Sequence, residues 1–387
     1  MVYSAEFFQG RIDSFEVIIL NIRKLIITLS ASLSMVALIL DSRAGIAGAA
    51  AGVDLCIQTL IPSLFPFFIF SILLTGSLLG HPIRLLRPVS KVCRIPCGSE
   101  SLLAIGFLGG YPVGAQNVVL AKEQGFLSDD DARRMIVLCN NAGPAFIFGF
   151  LGQFFLNPLC PWIMWLIHIF SAIVTGYLLP GGTRHGTIVL KPKEISLSDS
   201  LEKSLHVMGK VCGWVILFRI ILEFLQKWIF WRLPVIFQIA LTGLLELSNG
   251  CLLLQNLSSD GGRFLLGSTL LGFGGFCVFL QTYSITKNFP FRFYLLGKLL
   301  HGCISFLTAY SMQFFFLEES IYLPSYIPSF MIILILLFAV IIRKSEKPVA
   351  ISSTILYNQK SCEKRRTLCC FGKRLQNPAP TAFMAPN

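Results

Sequence analysis

Glycine pairs and isolated polar residues interrupt the long apolar runs of this chain, and they are the residues that could carry chemistry. Two strings resemble each other: Phe107-Leu-Gly-Gly-Tyr-Pro-Val-Gly-Ala-Gln116 and Phe273-Gly-Gly-Phe-Cys-Val-Phe-Leu-Gln281. In each, a glycine pair precedes an aromatic residue, and a glutamine stands six positions after the second glycine. A glutamine donates and accepts hydrogen bonds without net charge, which suits recognition of a polar solute. Duplicated, glycine-broken apolar segments are typical of transporters with two related halves.

Two adjacent asparagines and a Gly-Pro pair occur in a third string, Cys139-Asn-Asn-Ala-Gly-Pro-Ala-Phe146. A break of this kind inside an apolar segment leaves carbonyl and amide groups that need partners. Asn140, Asn141 and the backbone at Gly143-Pro144 could face a substrate cavity, as in transporters with discontinuous helices. Hydrogen bonding between helices is the alternative. The helix before this break is predicted to begin at the N-cap Ser128.

One carboxylate stands in a leucine-rich run, within Gly243-Leu-Leu-Glu-Leu-Ser-Asn-Gly250. A charge at the centre of a membrane helix costs about 2.5 kcal/mol or more, so Glu246 must be paired, protonated or solvated. We therefore expect Glu246 to couple transport to a proton or cation. A structural ion pair with Lys210, Arg219 or Lys298 is the alternative.

Lys298 and His301 fall on one face of a predicted helix and could bind an anionic group, although a lysine can also extend to the membrane interface. The sequence carries no His/Glu metal motif, G-x-S-x-G elbow or phosphate-binding loop, so we predict a non-enzyme without catalytic or metal-binding residues, and with no cofactor beyond the coupling ion. The predicted substrate-binding residues are Gly109, Gly110, Tyr111, Gln116, Asn140, Asn141, Gly143, Pro144, Ser248, Asn249, Gly274, Gly275, Gln281 and Lys298.

The composition indicates a polytopic, all-α membrane protein. Hydrophobic residues make up 54% of the chain and charged residues 13%, with a mean hydropathy of +0.71. We predict about 8 to 11 membrane helices or half-helices in two inverted repeats, with re-entrant hairpins among the shorter, proline- or glycine-containing runs. The apolar runs lie near residues 17–40, 44–60, 61–80, 101–121, 135–156, 159–180, 205–226, 233–257, 263–286, 295–317 and 326–342.

Basic residues orient the chain, because loops rich in Lys and Arg stay in the cytoplasm. The 81–100 loop and the basic tail are predicted to be cytoplasmic. Counting spans back from the tail places residues 181–204 and Ser258–Arg263 outside, and Lys227 and Arg232 inside. On this map the Gly109 motif runs from inside to outside and the Gly274 motif from outside to inside. The predicted organisation is an N-terminal segment with a first helix (1–43), a first repeat (44–180), a polar linker (181–204), a second repeat (205–342) and a disordered tail (343–387).

The net charge of +12 is concentrated in the tail, where nine Lys or Arg between Arg343 and Arg374 stand against two glutamates. Such a tail favours a cytoplasmic location and contact with anionic lipid. No nucleic-acid-binding motif accompanies it, so nucleic acid is not an expected partner. The expected partners are the lipid bilayer and a small-molecule solute, with a homo-oligomer left open.

Five strings in order resemble the sporulation integral membrane protein YlbJ family. They are Leu60-Ile-Pro-Ser-Leu-Phe-Pro-Phe-Phe68, Gly109-Gly-Tyr-Pro-Val-Gly-Ala115, Cys139-Asn-Asn-Ala-Gly-Pro144, Gly243-Leu-Leu-Glu-Leu-Ser-Asn-Gly250 and Phe273-Gly-Gly-Phe-Cys-Val-Phe-Leu-Gln281. That family belongs to the nucleoside-recognition, or gate, domain membrane proteins, whose relatives include concentrative nucleoside transporters. The resemblance implies a mother-cell or outer forespore membrane location and movement of dipicolinic acid towards the forespore, and it leaves a sporulation membrane partner open.

The residues by themselves support a polar-solute transporter. A nucleoside transporter and a non-transporting assembly or regulatory protein of sporulation remain the alternatives.

Overall fold

The computed structural model describes residues 24–79, 81, 83–96, 98–180, 195–286, 291–317 and 320–345. Those residues form helices and connecting loops without a strand, and six helices are long and apolar enough to cross a membrane. The prediction of an all-α, polytopic membrane protein is therefore confirmed. Most of the predicted tail, residues 1–23 and most of the linker lie outside the described residues. The helices are α1 Lys24–Leu40, α2 Ser42–Leu78, α3 Arg87–Val92, α4 Glu100–Gly109, α5 Val113–Glu123, α6 Asp129–Cys139, α7 Ala145–Phe154, α8 Cys160–Leu178, α9 Leu197–Trp228, α10 Val235–Leu245, α11 Leu247–Leu253, α12 Asp260–Phe273, α13 Gly275–Thr286, α14 Phe291–Phe316 and α15 Tyr326–Ser345.

Helix α2 joins two runs that the sequence predicted as separate elements. A π-helical turn at Cys56–Leu60 carries the backbone past Pro62 without ending the helix. Helix α9 packs along α2 in the antiparallel direction. A Cβ on Gly48 would lie 2.9 Å from Cα of Ile220, and one on Gly52 would lie 2.9 Å from Cα of Ile216. Glycine at both positions lets the two backbones approach closely.

Three segments meet at one end of the helix bundle. Arg94 donates hydrogen bonds to the carbonyls of Tyr177 and Leu179, at 2.9 and 2.7 Å. Arg134, early in α6, donates to the carbonyl of Cys93 at 2.7 Å. The loop before α4, the start of α6 and the end of α8 therefore lie together, and we call this the basic end. The positive-inside rule places it in the cytoplasm.

Other segments meet at the opposite end. Arg263, in the first turn of α12, donates to the carbonyl of Phe154 at 3.2 Å and to that of Leu257 at 2.8 Å. Asn157 donates to the carbonyl of Phe316 at 3.4 Å. The ends of α7 and α14 and the start of α12 therefore lie at the opposite end.

Helices α4 and α5 form hairpin 1, which enters and leaves at the basic end. They contain 10 and 11 residues, or about 15 Å each, and the hydrocarbon core is about 30 Å thick. Helix α4 follows the loop at Cys93, and α5 leads into α6, whose Arg134 bonds that same loop. The expectation that the Gly109 motif runs from inside to outside is therefore wrong, because the chain turns back at Gly110.

Helices α10 and α11 form hairpin 2, which enters from the opposite end. They contain 11 and 7 residues and meet at Glu246. Gly250 packs so closely on Gly243 that no Cβ would fit between them. The chain after α11 returns to Leu257, which is bound by Arg263 at the opposite end.

Two crossing helices are broken near their middle. Helix α6 starts at the basic end, unwinds at 140–144 and continues as α7 to the opposite end. Helix α12 starts at the opposite end, breaks at Gly274 and continues as α13. Helix α14 then returns over 26 residues to the opposite end, so α13 ends at the basic end. We call these pairs broken helix 1 (α6–α7) and broken helix 2 (α12–α13).

The two hairpins change the predicted sidedness of the middle of the chain. Leu179 is bound by Arg94, and a Cβ on Gly76, at the end of α2, would lie 2.9 Å from Ile195. Both flanks of the 181–194 segment therefore lie at the basic end. Lys227 pairs with Asp41 at the far end of α9. The flanks of the linker thus lie at the basic end and Lys227 and Arg232 at the opposite end, the reverse of the expectation, because the expectation counts each hairpin as a span.

The same order of elements occurs twice with opposite sense. Helix α2 runs to the basic end and is followed by hairpin 1, broken helix 1 and α8. Helix α9 runs to the opposite end and is followed by hairpin 2, broken helix 2 and α14. This is the arrangement of inverted-topology repeats. The predicted domain boundaries stay predictions, although α9 begins at Leu197, inside the predicted linker.

Candidate functional site

Each hairpin tip packs against the break of a crossing helix. Gly110, at the tip of hairpin 1, has φ +75°, and a Cβ there would lie 3.0 Å from the amide nitrogen of Gly143 in broken helix 1. Gly275, in broken helix 2, has φ +82°, and a Cβ there would lie 3.2 Å from the amide nitrogen of Leu247 in hairpin 2. Side chains larger than hydrogen would separate these backbones. The hairpins and breaks therefore converge at the middle of the bundle.

A small cavity of about 30 Å³ lies at this convergence. Six of the predicted site residues line it: Gly110, Tyr111, Gly143, Glu246, Ser248 and Gln281. They come from both hairpin tips and both broken helices. The sequence analysis therefore identified residues far apart in the chain that the fold brings to one cavity.

The carboxylate of Glu246 caps the first turn of α11. Its Oε1 accepts from the amide of Ser248 at 3.0 Å, and its Oε2 accepts from the amide and the side-chain nitrogen of Asn249 at 2.7 and 2.6 Å. Glu246 is buried. Among the described residues no lysine or arginine forms an ion pair with it; Arg219 pairs instead with Glu223 at 3.0 Å. The carboxyl group at this position is thus held by backbone amides next to the cavity.

Tyr111 and Gln281 add polar groups to the lining. The hydroxyl of Tyr111 is buried without a hydrogen-bond partner in the described structure, and its ring faces Gly274. Gln281 donates to the sulfur of Cys277 at 3.2 Å. A buried hydroxyl without a partner is costly unless a ligand or water receives it. The lining therefore offers a carboxylate, a phenol and an amide to one solute.

Apolar residues that the sequence analysis assigned to no site form the rest of the wall. Phe146, Leu247 and Val278 adjoin predicted site residues, and their position in the motifs could have identified them. The others come from α2 and α9, whose sequences give no local sign of a cavity. These are Leu60, Leu64, Val211 and Val215.

The remaining predicted residues lie outside the cavity lining. Asn249 supports Glu246, and Gly109 packs on Ser71. A role in binding stays a prediction for these positions. They are Gly109, Gln116, Asn140, Asn141, Pro144, Asn249, Gly274, Gly275 and Lys298.

Asn140 and Asn141 hold the break of broken helix 1. Asn140 donates to the hydroxyls of Thr282 and Tyr294, at 2.8 and 2.6 Å, and Asn141 donates to the carbonyl of Leu138 at 2.5 Å. Both side chains are fully buried. The Asn140 contacts are hydrogen bonds between helices, which the sequence analysis gave as the alternative.

Lys298 on α14 reaches the same break. Its ammonium donates to the carbonyl of Asn140 at 2.5 Å and to Oδ1 of Asn141 at 3.0 Å. Two histidines lie close by: His168 accepts from the amide of Ala142 at 3.0 Å and stacks on His301 with 4.7 Å between ring centroids. A lysine at the C-terminal end of a helix offsets the negative end of its dipole. Lys298 is therefore engaged with the protein backbone, away from the cavity.

Charged residues mark the start of α6 at the basic end. Ser128 accepts from the amide of Asp131 at 3.1 Å, which confirms the predicted N-cap. Lys122 lies 2.6 Å from Asp129, and this contact lowers the pKa of the Asp129 carboxyl. Within the described ranges no group of three His, Cys, Asp or Glu side chains is arranged to hold a metal ion.

The chain is similar in sequence to a known sporulation membrane protein. The sporulation integral membrane protein YlbJ of Bacillus subtilis (strain 168) is 25% identical over 298 residues, which is 65% of this chain and 73% of the relative. The resemblance expected from the five motifs is thereby confirmed as sequence similarity. No protein-family model matches the chain. No solved structure gives a significant match.

Proposed function

We propose that this chain, a multi-pass membrane protein similar to a sporulation integral membrane protein, is a transporter of a small polar or anionic solute. The observation that carries the proposal is the meeting of two hairpins, inserted from opposite ends, with two broken helices around one cavity. Irregular backbone at membrane depth is tolerated where it is buried in protein or lines a cavity. Binding at the interface of inverted repeats is the usual arrangement in secondary transporters.

For the solute we propose dipicolinic acid, moved towards the forespore during sporulation. The similarity to a sporulation membrane protein supports this choice. Glu246 then determines how an anion can enter, because a carboxylate in the cavity repels a dicarboxylate. Lys298 does not line the cavity and so does not offset the charge there. We therefore propose that a proton on Glu246 accompanies the anion.

A nucleoside is the second candidate solute, and the carboxylate itself favours it. An ionised Glu246 next to Tyr111 and Gln281 would accept hydrogen bonds from the hydroxyl groups of a neutral solute. Such a solute would need no proton on Glu246. The two candidates therefore differ in their response to a proton gradient.

Uptake of labelled dipicolinate and of uridine into proteoliposomes tests the proposal. We expect dipicolinate uptake to increase with an imposed proton gradient, and this increase to be lost in Glu246→Gln, because a glutamine cannot take up the proton. Glu202→Gln, which alters an exposed carboxylate early in α9, is the matched control and should keep wild-type uptake. Uridine uptake without dependence on the gradient would favour the nucleoside, and no flux of either solute through folded protein would contradict transport.

Removal of residues 346–387 separates transport from a scaffolding role. The cavity residues all precede this segment. A transporter should retain its flux without the tail, and an assembly protein that recruits partners through basic residues should lose function. Flux in proteoliposomes and complementation in sporulating cells, measured on the same truncation, distinguish the two roles.

A further inference from the structure

The ammonium of Lys298 stands where a transporter of this architecture would place a coupling cation. In broken-helix transporters, unwound carbonyls and the C-terminal ends of half-helices coordinate sodium or protons. Helix α6 ends at Cys139, and the carbonyl of Asn140 together with Oδ1 of Asn141 binds the Lys298 ammonium. These are oxygen acceptors at the negative end of a helix dipole, and they already hold a positive charge.

The surroundings of this ammonium contain no opposite charge. Lys298 is 1% exposed, and no carboxylate pairs with it among the described residues. Tyr294, with its ring centroid 5.9 Å away, is the aromatic neighbour, and His168 and His301 stack nearby. Burying a lysine without a counter-ion costs free energy unless polar groups bind its ammonium. Here backbone and amide oxygens take the place of a counter-ion, as they do for a bound metal cation.

We propose that Lys298 is a built-in monovalent cation, which fills the ion position at the break of broken helix 1 and makes transport independent of sodium. This inference rests on the proposed function and deepens it, since it concerns the ion requirement of the same transporter. It also assigns different roles to the two buried ionisable residues. Glu246 gains and loses a proton with the solute at the cavity, and Lys298 remains at the break as a fixed charge.

Removal of the lysine side chain should open this position to a free cation. In Lys298→Ala the oxygens of Asn140 and Asn141 lose their donor, and the space of three methylene groups and an ammonium becomes vacant. Methylammonium replaces the charge and the hydrogen bonds, and sodium replaces the charge alone. Lys298→Met is the matched variant, because it removes the charge and leaves the space filled. Lys210→Ala, on α9, controls for loss of another lysine from a membrane helix.

The thermal unfolding midpoint of the purified protein in detergent gives a test that needs no transport. At equal ionic strength, wild type and Lys210→Ala should each have the same Tm in choline, sodium and methylammonium chloride. Lys298→Ala should unfold at a lower temperature in choline, and methylammonium or sodium should raise its Tm by about 2 to 4 °C. Lys298→Met should show no such rise.

Flux supplies the second measurement. Wild-type uptake should be the same in sodium and in choline media, and Lys298→Ala should transport about tenfold more slowly in choline and recover with the cation that raises its Tm. A Lys298→Ala protein whose Tm is unchanged by both cations, or that fails to fold with methylammonium present, overturns the inference. A sodium-dependent Tm in the wild type overturns it as well, because a cation site would then exist that Lys298 does not fill. Cation-dependent Tm with no flux in any variant would contradict the proposed function and leave the cation position standing.

Discussion

Gly110, Gly274 and Gly275 adopt φ values of +75°, +87° and +82°, a region that other residues rarely occupy. All three lie where a hairpin tip meets a helix break. Their conformations direct backbone, without side chains, towards the neighbouring element. The close approach of the four central segments thus depends on single glycines. Replacement of Gly110 or Gly275 is unfavourable through backbone strain and through lost space, and replacement of Gly274 through backbone strain.

Gly110→Ala should destabilise the protein by about 1 to 3 kcal/mol, because alanine is strained at φ +75° and ψ 177°. Its Cβ would also lie 3.0 Å from Gly143. Thermal unfolding in detergent measures the change. The control is Gly209→Ala, at an exposed position in α9 with nothing within 4 Å of a Cβ, where stability should stay the same or rise slightly. Equal stabilities of the two variants would contradict the strained tip.

Glu246→Ala should lower the free energy of unfolding by about 1 to 2 kcal/mol, because the amides of Ser248 and Asn249 lose their acceptor. Glu246→Gln retains one side-chain oxygen and should lose less stability. Thermal unfolding compares the two variants. If glutamine and alanine destabilise equally, the carboxylate does not act as the cap of α11.

At the scale of residues, the sequence identifies the unusual polar residues. It does not distinguish those that line the cavity from those that form contacts between helices. Glu246 and Gln281 line the cavity, and Asn140 and Asn141 instead hold the break at which they occur. Both sets consist of polar residues in apolar segments. The difference arises from Lys298, which lies more than 150 positions away and uses the asparagine oxygens. No local pattern encodes that partner.

At the scale of helices, the sequence located the breaks at Gly110, 140–144 and Gly274, did not locate the one at Glu246, and counted the first as part of a membrane crossing. A 21-residue apolar run with a central glycine pair has the length of a span, and so 101–121 was expected to cross the membrane. The glycine pairs at Gly109 and Gly274 also resemble each other in sequence. In the structure the first turns a hairpin and the second interrupts a crossing helix. Local backbone demands are alike in both cases, and only tertiary contacts such as that of Arg134 with Cys93 decide between them.

Accessibility of introduced cysteines tests the re-entrant course of hairpin 1. Lys91 precedes the hairpin and Asp129 follows it, and both lie at the basic end. In a background without accessible native cysteines, Lys91→Cys and Asp129→Cys should react with a membrane-impermeant thiol reagent from the same side. Leu156→Cys, at an exposed position beyond α7, should react from the other side.

Native Cys93 gives an internal reference for this experiment. It is buried at the basic end, and burial raises the pKa of its thiol to about 11, so it should stay unreactive in the folded protein. Labelling of Lys91→Cys and Asp129→Cys from opposite sides would mean that the 101–121 run crosses the membrane. The inverted relation of the two hairpins would then fail.

At the scale of the whole molecule, the basic residues and the fold agree on one orientation. The 83–96 loop carries Arg84, Arg87, Lys91 and Arg94, and Ile342 near the end of α15 packs in the same cluster as Leu79 and Cys93. The tail therefore leaves from the basic end, as the sequence predicted. The positive-inside rule predicts the side of the 83–96 loop and of the tail. It does not predict the side of the chain between them, because two hairpins change the count of crossings.

Reporter insertions decide the sidedness of that middle region. Alkaline phosphatase is active only outside the cytoplasm, and a fluorescent protein matures only inside. An insertion within 181–194 should give fluorescence without phosphatase activity, since both flanks lie with Arg94 and Gly76 at the basic end. Insertions between Leu156 and Asn157 and between Tyr322 and Leu323 should give the reverse, because Asn157 bonds Phe316 at the opposite end. An external linker would require one hairpin to cross the membrane, and the two halves could then no longer present their hairpins to one cavity from opposite sides.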